Sequence, residues 1–149
     1  MGSLFSGKTT FGADRSGWVT SQVTTMFQMF TNAQSCDNGG QPLTFDTGSV
    51  NTMESMFGSW NGGFCVFDQP VAFDTGRVTT MHQMFKADLT FNQQLAFDTG
   101  SVTDMSSMLG GCSSNCPYSF DHSVAFDVSS VTTMSNMIIG NVALSHRQR

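Results

Sequence analysis

The stretch Phe91-Asn92-Gln93-Gln94-Leu95-Ala96-Phe97-Asp98-Thr99-Gly100-Ser101-Val102-Thr103-Asp104-Met105-Ser106-Ser107-Met108 decides how the chain is read. It joins an apolar–small–apolar triplet closed by Asp-Thr-Gly to a valine followed by a Met-x-x-Met pair. Both blocks recur. The first stands at 43–48, 71–76, 95–100 and, with Val128-Ser129 in place of Thr-Gly, at 124–129; Trp18-Val19-Thr20-Ser21 is a degenerate copy. The second is carried by Met26/Met29, Met53/Met56, Met81/Met84, Met105/Met108 and Met134/Met137. These pairs follow Val23, Val50, Val78, Val102 and Val131, which are 27, 28, 24 and 29 residues apart. Self-similarity at such a period is the signature of a solenoid of stacked repeats.

Leu43-Thr44-Phe45 and its counterparts alternate in the manner of a short, half-buried strand. The Asp-Thr-Gly after it is turn chemistry, since Asp accepts a nearby backbone N–H and Gly permits positive φ. Val78, Met81, Met84 and Phe85 then fall on one helical face. Thr24, Asn51, Thr79, Thr103 and Thr132, one after each valine, are N-cap residue types. The expected fold class is therefore an α/β solenoid of about five stacked strand–turn–short-helix repeats of 24–29 residues. Parallel strands would line its inner face, because strands stack at about 4.8 Å and helices at about 8–10 Å. Residues 1–22 are expected to form an N-terminal cap with a degenerate first strand, 23–138 the repeats, and 139–149 a C-terminal cap and tail.

Composition narrows the function classes. Of 149 residues, six are basic and eleven acidic, a net charge of −5, and charged side chains make up 11%. That is less than half the roughly 25% usual in soluble domains, and it argues against a coiled coil, a charged disordered tail or a nucleic-acid partner. No run of about eighteen apolar residues is present to insert into a membrane. Met1-Gly2-Ser3 opens without the apolar core of a secretion signal.

The 91–108 string resembles the repeat of BspA-type, leucine-rich-repeat-like surface proteins, a repeat also described as a domain of unknown function in mycoplasma lipoproteins. The likeness extends over about residues 18–138. It implies a leucine-rich-repeat-like solenoid that is secreted or displayed on the cell surface. Some relatives are adhesins, and no catalytic residue or cofactor comes with the resemblance. The chain departs from the family repeat in its longer return loops, and in having Phe45, Phe73, Phe97 and Phe126 where a tryptophan is usual.

Cysteines track the long loops: Cys36, Cys65, Cys112 and Cys116 all lie between repeats. Disulfide stapling accounts for this, with three pairings open. Cys36–Cys65 across one repeat and a local Cys112–Cys116 loop are favoured over a zinc site, since no Cys-x-x-Cys or paired histidine is present. Oxidised cysteines would place the protein outside the cytosol. Asp46, Asp74, Asp98 and Asp127 form a column read as turn-satisfying carboxylates, with a calcium ladder as the weaker metal alternative. Gln41, Gln69, Gln93 and His122 share a position that suggests an amide ladder between repeats. Threonines recur as in ice-binding arrays, although capping and turns explain them.

The loop Gly58-Ser59-Trp60-Asn61-Gly62-Gly63-Phe64-Cys65-Val66 offers the sharpest site. Trp60, Asn61, Phe64 and Tyr118 are the candidate ligand-binding residues, an aromatic platform for a protein or glycan on another surface. No catalytic group and no cofactor is indicated. The functional expectation is a non-enzymatic extracellular binding or adhesion module. The alternative is a self-assembling structural or surface-layer subunit, a homo-oligomer joined through the ends of the stack.

Overall fold

A computed structural model describes residues 1–8, 13–15, 17–34, 36–60, 65–110 and 119–138. The repeats stack, but among the described residues neither the expected strands nor the expected helices form. The only helical element among the described residues is a single 3-10 turn, Asn38–Gly40, and its Gly39 has φ +65°. Among the described residues, strand pairing is confined to isolated parallel bridges: Thr25↔Thr52, Thr52↔Thr80, Thr80↔Asp104, Asp104↔Thr133 and Leu43↔Val71. The expected α/β solenoid, with parallel strands inside and short helices outside, is replaced by stacked coils and turns.

The hydrogen bonds give the reason. In an α-helix each N–H would turn back to the carbonyl four residues before it. Here alternate N–H groups of one copy instead leave for the next: Met26 to the Thr52 carbonyl, Gln28 to Glu54, Phe30 to Met56 and Asn32 to Gly58. The same ladder runs from 53–59 to 80–86, from 81–87 to 104–110, and from 105–109 to 133–137. Groups between them close tight turns, Met29 N–H to Met26 O, Met56 to Met53, Met84 to Met81 and Met108 to Met105. Each turn holds a non-glycine residue at positive φ two places after the first methionine: Gln28, Ser55, Gln83, Ser107 and Asn136, at +52° to +58°. That left-handed step has the φ signs of a type II turn and forbids a continuing helix. It costs about 1–2 kcal/mol for a residue with a side chain, offset by the bonds and burial that stacking provides.

The first copy begins earlier than the valine spacing indicates. Ser3, Phe5 and Gly7 donate to the carbonyls of Phe27, Met29 and Thr31 in the same register. Residues 1–7, read from the sequence as part of a cap, thus form a turn block of their own, with Met1-x-x-Leu4-Phe5 matching Met26-x-x-Met29-Phe30.

The triplet blocks are held mostly by side chains. Asp46, Asp74 and Asp98 accept the N–H of Gly48, Gly76 and Gly100, and Asp127 that of Ser129. The buried hydroxyls of Thr47, Thr75 and Thr99 donate to the backbone carbonyls of Asp74, Asp98 and Asp127 one copy on, at 2.8–2.9 Å. A hydroxyl thus occupies a carbonyl that a strand partner's N–H would need. The expected caps are redeployed likewise: Thr79, Thr103 and Thr132 donate their hydroxyls to the carbonyls of Asn51, Thr79 and Thr103.

Between these surfaces runs one apolar core. Val50, Val78, Val102 and the methionines from Met26 to Met108 are fully buried. Phe5, Phe30, Phe57 and Phe85 stack through successive copies at centroid spacings of 5.2–5.6 Å. A second file, Phe67, Phe91 and Phe120, lies beside it, in contact through Phe57–Phe67 at 4.4 Å and Phe85–Phe91 at 4.1 Å.

Candidate functional site

Trp60 lies where the second return loop leaves the stack. Its backbone N–H donates to Asn32 Oδ1 of the preceding copy at 2.7 Å, and the Lys86 ammonium of the following copy sits 5.1 Å from the ring centroid. Asn32 thus holds the Trp60 backbone, and Lys86 faces its ring. An open groove of ≈ 350 Å³ runs beside it, lined by Ser6, Gln28, Thr31, Asn32 and Trp60. Thr31 is held by its hydroxyl on the Ser55 carbonyl at 2.7 Å. Asn32 Oδ1 accepts from Trp60, and the Asn32 and Gln28 side chains line the groove. The groove combines an aromatic wall with amide and hydroxyl groups, so it suits a neutral polar molecule with one apolar face.

Of the predicted platform, only Trp60 can be placed. Asn61, Phe64 and Tyr118 lie outside the described residues, as do Cys112 and Cys116 and the 139–149 segment. Cys36 and Cys65 are joined as a disulfide, with Cα atoms 6.5 Å apart. That bond ties the return loop after Asn32 to the return loop after Trp60, since Asn32 and Trp60 stand four and five residues before the two cysteines.

Asp46, Asp74, Asp98 and Asp127 are all exposed. Each directs one oxygen to its own turn. The Cα of Gly48 lies between the carboxylates of Asp46 and Asp74, and Gly76 and Gly100 occupy the equivalent places, so a Cβ there would meet carboxylate oxygen at 3.3–3.7 Å. Hydrogen bonds from the backbone and side chain of Ser129 lower the Asp127 pKa below the usual range. Among the described residues no three His, Cys, Asp or Glu groups gather as a metal site. The expected amide ladder is absent, because Gln93 bonds Asp68 Oδ1 at 2.9 Å and His122 the Asn92 carbonyl at 3.0 Å.

One trio has the residue types of a hydrolase but a different wiring. Ser106 Oγ donates to Asp104, and His82 Nδ1 lies 2.6 Å from the same Oγ. In a nucleophilic serine the imidazole takes the hydroxyl proton and the carboxylate orients the imidazole. Here the carboxylate takes the proton, and the trio ties the fourth copy to the fifth.

Asp88 is the only carboxyl among the described residues that is fully buried. Thr90 donates to Oδ1 through its N–H at 3.3 Å and its hydroxyl at 3.2 Å. Burial nevertheless pushes its pKa well above the usual carboxylate range, against the lowering by those bonds. The unfolded chain releases this proton near pH 4 and the folded chain keeps it, so Asp88's contribution to stability is greatest at low pH and falls as pH rises from about 4 through the folded pKa. Asp88→Asn should remove that part of the slope, read as urea midpoints across about pH 4–8. Parallel midpoint curves for both proteins would show that Asp88 ionises without penalty.

A model of the family described as Mycoplasma protein of unknown function, DUF285, matches residues 1–63 and again 63–147. The chain belongs to that family. Two tandem DUF285 matches cover almost all of it, including residues 1–7. No curated protein and no solved structure matches the chain. DUF285 membership supports the repeat reading and carries no activity with it, while the leucine-rich-repeat part of the resemblance finds no counterpart in strands or helices. No helix among the described residues is long and apolar enough to cross a membrane.

Proposed function

We propose that this chain is a non-enzymatic extracellular binding module, secreted or held at a cell surface, that takes a glycan in the groove at Trp60. The observation that carries the reading is Trp60, held at its backbone by Asn32 and faced on its ring by Lys86, beside a rim of amides and hydroxyls. A sugar ring offers the complement, an apolar C–H face ringed by hydroxyls. The Cys36–Cys65 disulfide supports an oxidising location, because such bonds rarely persist in the cytosol.

Immobilised oligosaccharides and surface proteins provide the test. A glycan of the panel should be retained by the native chain and lose at least about tenfold in affinity, some 1.4 kcal/mol, with Trp60→Ala. The melting temperature should move little. Binding that survives Trp60→Ala removes the groove from the account, and retention of proteins alone replaces the glycan with a protein ligand.

A further inference from the structure

The Trp60 groove is lined by Gln28, Thr31 and Asn32 of one copy and by Trp60 of the next. Its lining residues end where the chain leaves the stack: Asn32 N–H donates to the Gly58 carbonyl, and the register is taken up again where Leu43 N–H meets the Pro70 carbonyl. Between these points the described residues of the two return loops are tied by the Trp60 N–H on Asn32 Oδ1 at 2.7 Å and by the Cys36–Cys65 disulfide. The equivalent loops further along are joined by hydrogen bonds. Asp68 accepts the Asn92 N–H at 2.8 Å and the Gln93 amide at 2.9 Å. Asn92 in turn accepts the Asp121 N–H at 3.0 Å, and Ser119 donates to the Leu89 carbonyl at 2.7 Å. A reducible bond thus stands beside the groove.

That bond reaches Trp60 through its neighbours. Cys65 N–H donates to the buried Ser59 Oγ at 2.7 Å, and Ser59 N–H donates to the Lys86 carbonyl at 2.8 Å. On the other side Asn38, two residues after Cys36, accepts the Arg15 N–H and donates to the Gln41 and Pro42 carbonyls. Cys36 is therefore seated beside a fixed turn. The disulfide carries its position through Cys65 to Ser59, next to Trp60.

We propose that the groove is redox-gated: it binds while the Cys36–Cys65 bond is intact and releases its ligand when thiols reduce that bond. Two equivalents of a low-molecular-weight thiol complete the reaction. The first thiolate attacks one cystine sulfur, forming a mixed disulfide and releasing the other cysteine, which takes up a proton. The second displaces the remaining cysteine, which is protonated likewise, and departs as the small-molecule disulfide. Two electrons pass to the protein's sulfurs. Reduction leaves the Asn32 hydrogen bond to align Trp60 with the preceding copy, and a neutral hydrogen bond exchanges readily with water. Both cysteines are buried, so thiols reach them as the return loops open, and a ligand spanning the two copies opposes that opening. The coupling is reciprocal. A tenfold preference of a ligand for the oxidised form lowers the potential of the bond by about 30 mV.

Two readouts test the gate, oligosaccharide affinity and the emission of Trp60 in the Trp18→Phe protein. The affinity readout rests on the glycan reading above, and the emission readout does not. Well below its melt the reduced chain should keep a native circular dichroism spectrum, while Trp60 emission moves to longer wavelength and acrylamide quenches it more. The oligosaccharide that the oxidised chain retains should bind at least about tenfold more weakly to the reduced chain and to Cys36→Ala/Cys65→Ala. Phe57→Leu, which weakens the core and keeps the bond, should bind as the native chain does, separating the gate from a general loss of stability. Affinity unchanged by reduction overturns the gate and leaves the glycan reading standing. A reduced chain that loses its native spectrum also overturns it, since the bond then holds the whole fold. If the oxidised chain retains no oligosaccharide, the glycan reading falls, and Trp60 emission unchanged by reduction then overturns the gate as well.

Discussion

The double variant Cys36→Ala/Cys65→Ala should melt about 10 °C below the native protein, from roughly 3–4 kcal/mol of lost stability at about 2–4 °C per kcal/mol. The bond closes a loop of sequence separation 29, and a cross-link of that length removes much of the unfolded chain's freedom. Both cysteines are buried in the core, so the folded state loses only two small packed sulfurs. Thermal melts followed by circular dichroism, with and without reductant, make the measurement. Reduction of the native chain should reproduce the variant's melt, and reductant should leave the variant unchanged. A variant melting with the native protein would mean that the stack alone restrains these two return loops.

Phe57→Ala should cost about 3–5 kcal/mol, the range for removing a fully buried aromatic. Phe57 is one of two places where the aromatic files meet, in contact with Phe30 at 5.4 Å, Phe85 at 5.2 Å and Phe67 at 4.4 Å. Because copies bury one another's faces, a cavity there loosens three of them at once. With total stability of about 5–15 kcal/mol expected for a domain, the loss is a large share of the whole. Phe57→Leu should be far milder, since Leu109 occupies the corresponding place in the fifth copy and is fully buried. Urea midpoints for the two variants separate the cases. A loss below about 1 kcal/mol for the alanine would show that the neighbouring rings close over the gap.

The core was legible and the conformation was not, for a common reason. Spacing at i and i+3 puts Met26 and Met29 on one side of a helical turn, and equally on one side of a tight turn with a left-handed residue inside it. What separates the two is where the intervening N–H groups go, and their acceptors lie 23–28 residues away in the next copy. Gln28, Ser55, Gln83 and Ser107 adopt positive φ without a glycine to signal it. The first turn block hid behind Leu4 standing in for methionine and the absence of a preceding valine. Trp60 could be singled out because tryptophan is rare in this chain. Its groove partners Gln28, Thr31 and Asn32 come from the previous copy, and only the stacking register brings them to it. The file of Phe67, Phe91 and Phe120 follows loops of unequal length, which blurs its period.

Because the ladder bonds run from copy to copy, they lie along the direction in which the molecule would be stretched. Tension on the two ends peels an end copy first, leaving the rest intact, so the chain pays out in steps of one repeat. The Cys36–Cys65 bond removes one such step. At about 3.5 Å per extended residue, the loop it closes, of sequence separation 29, withholds roughly 100 Å of slack. Trp60 lies inside that loop while its groove partners Ser6, Gln28, Thr31 and Asn32 lie before it, so tension that peels the first copies opens the groove and leaves Trp60 in place.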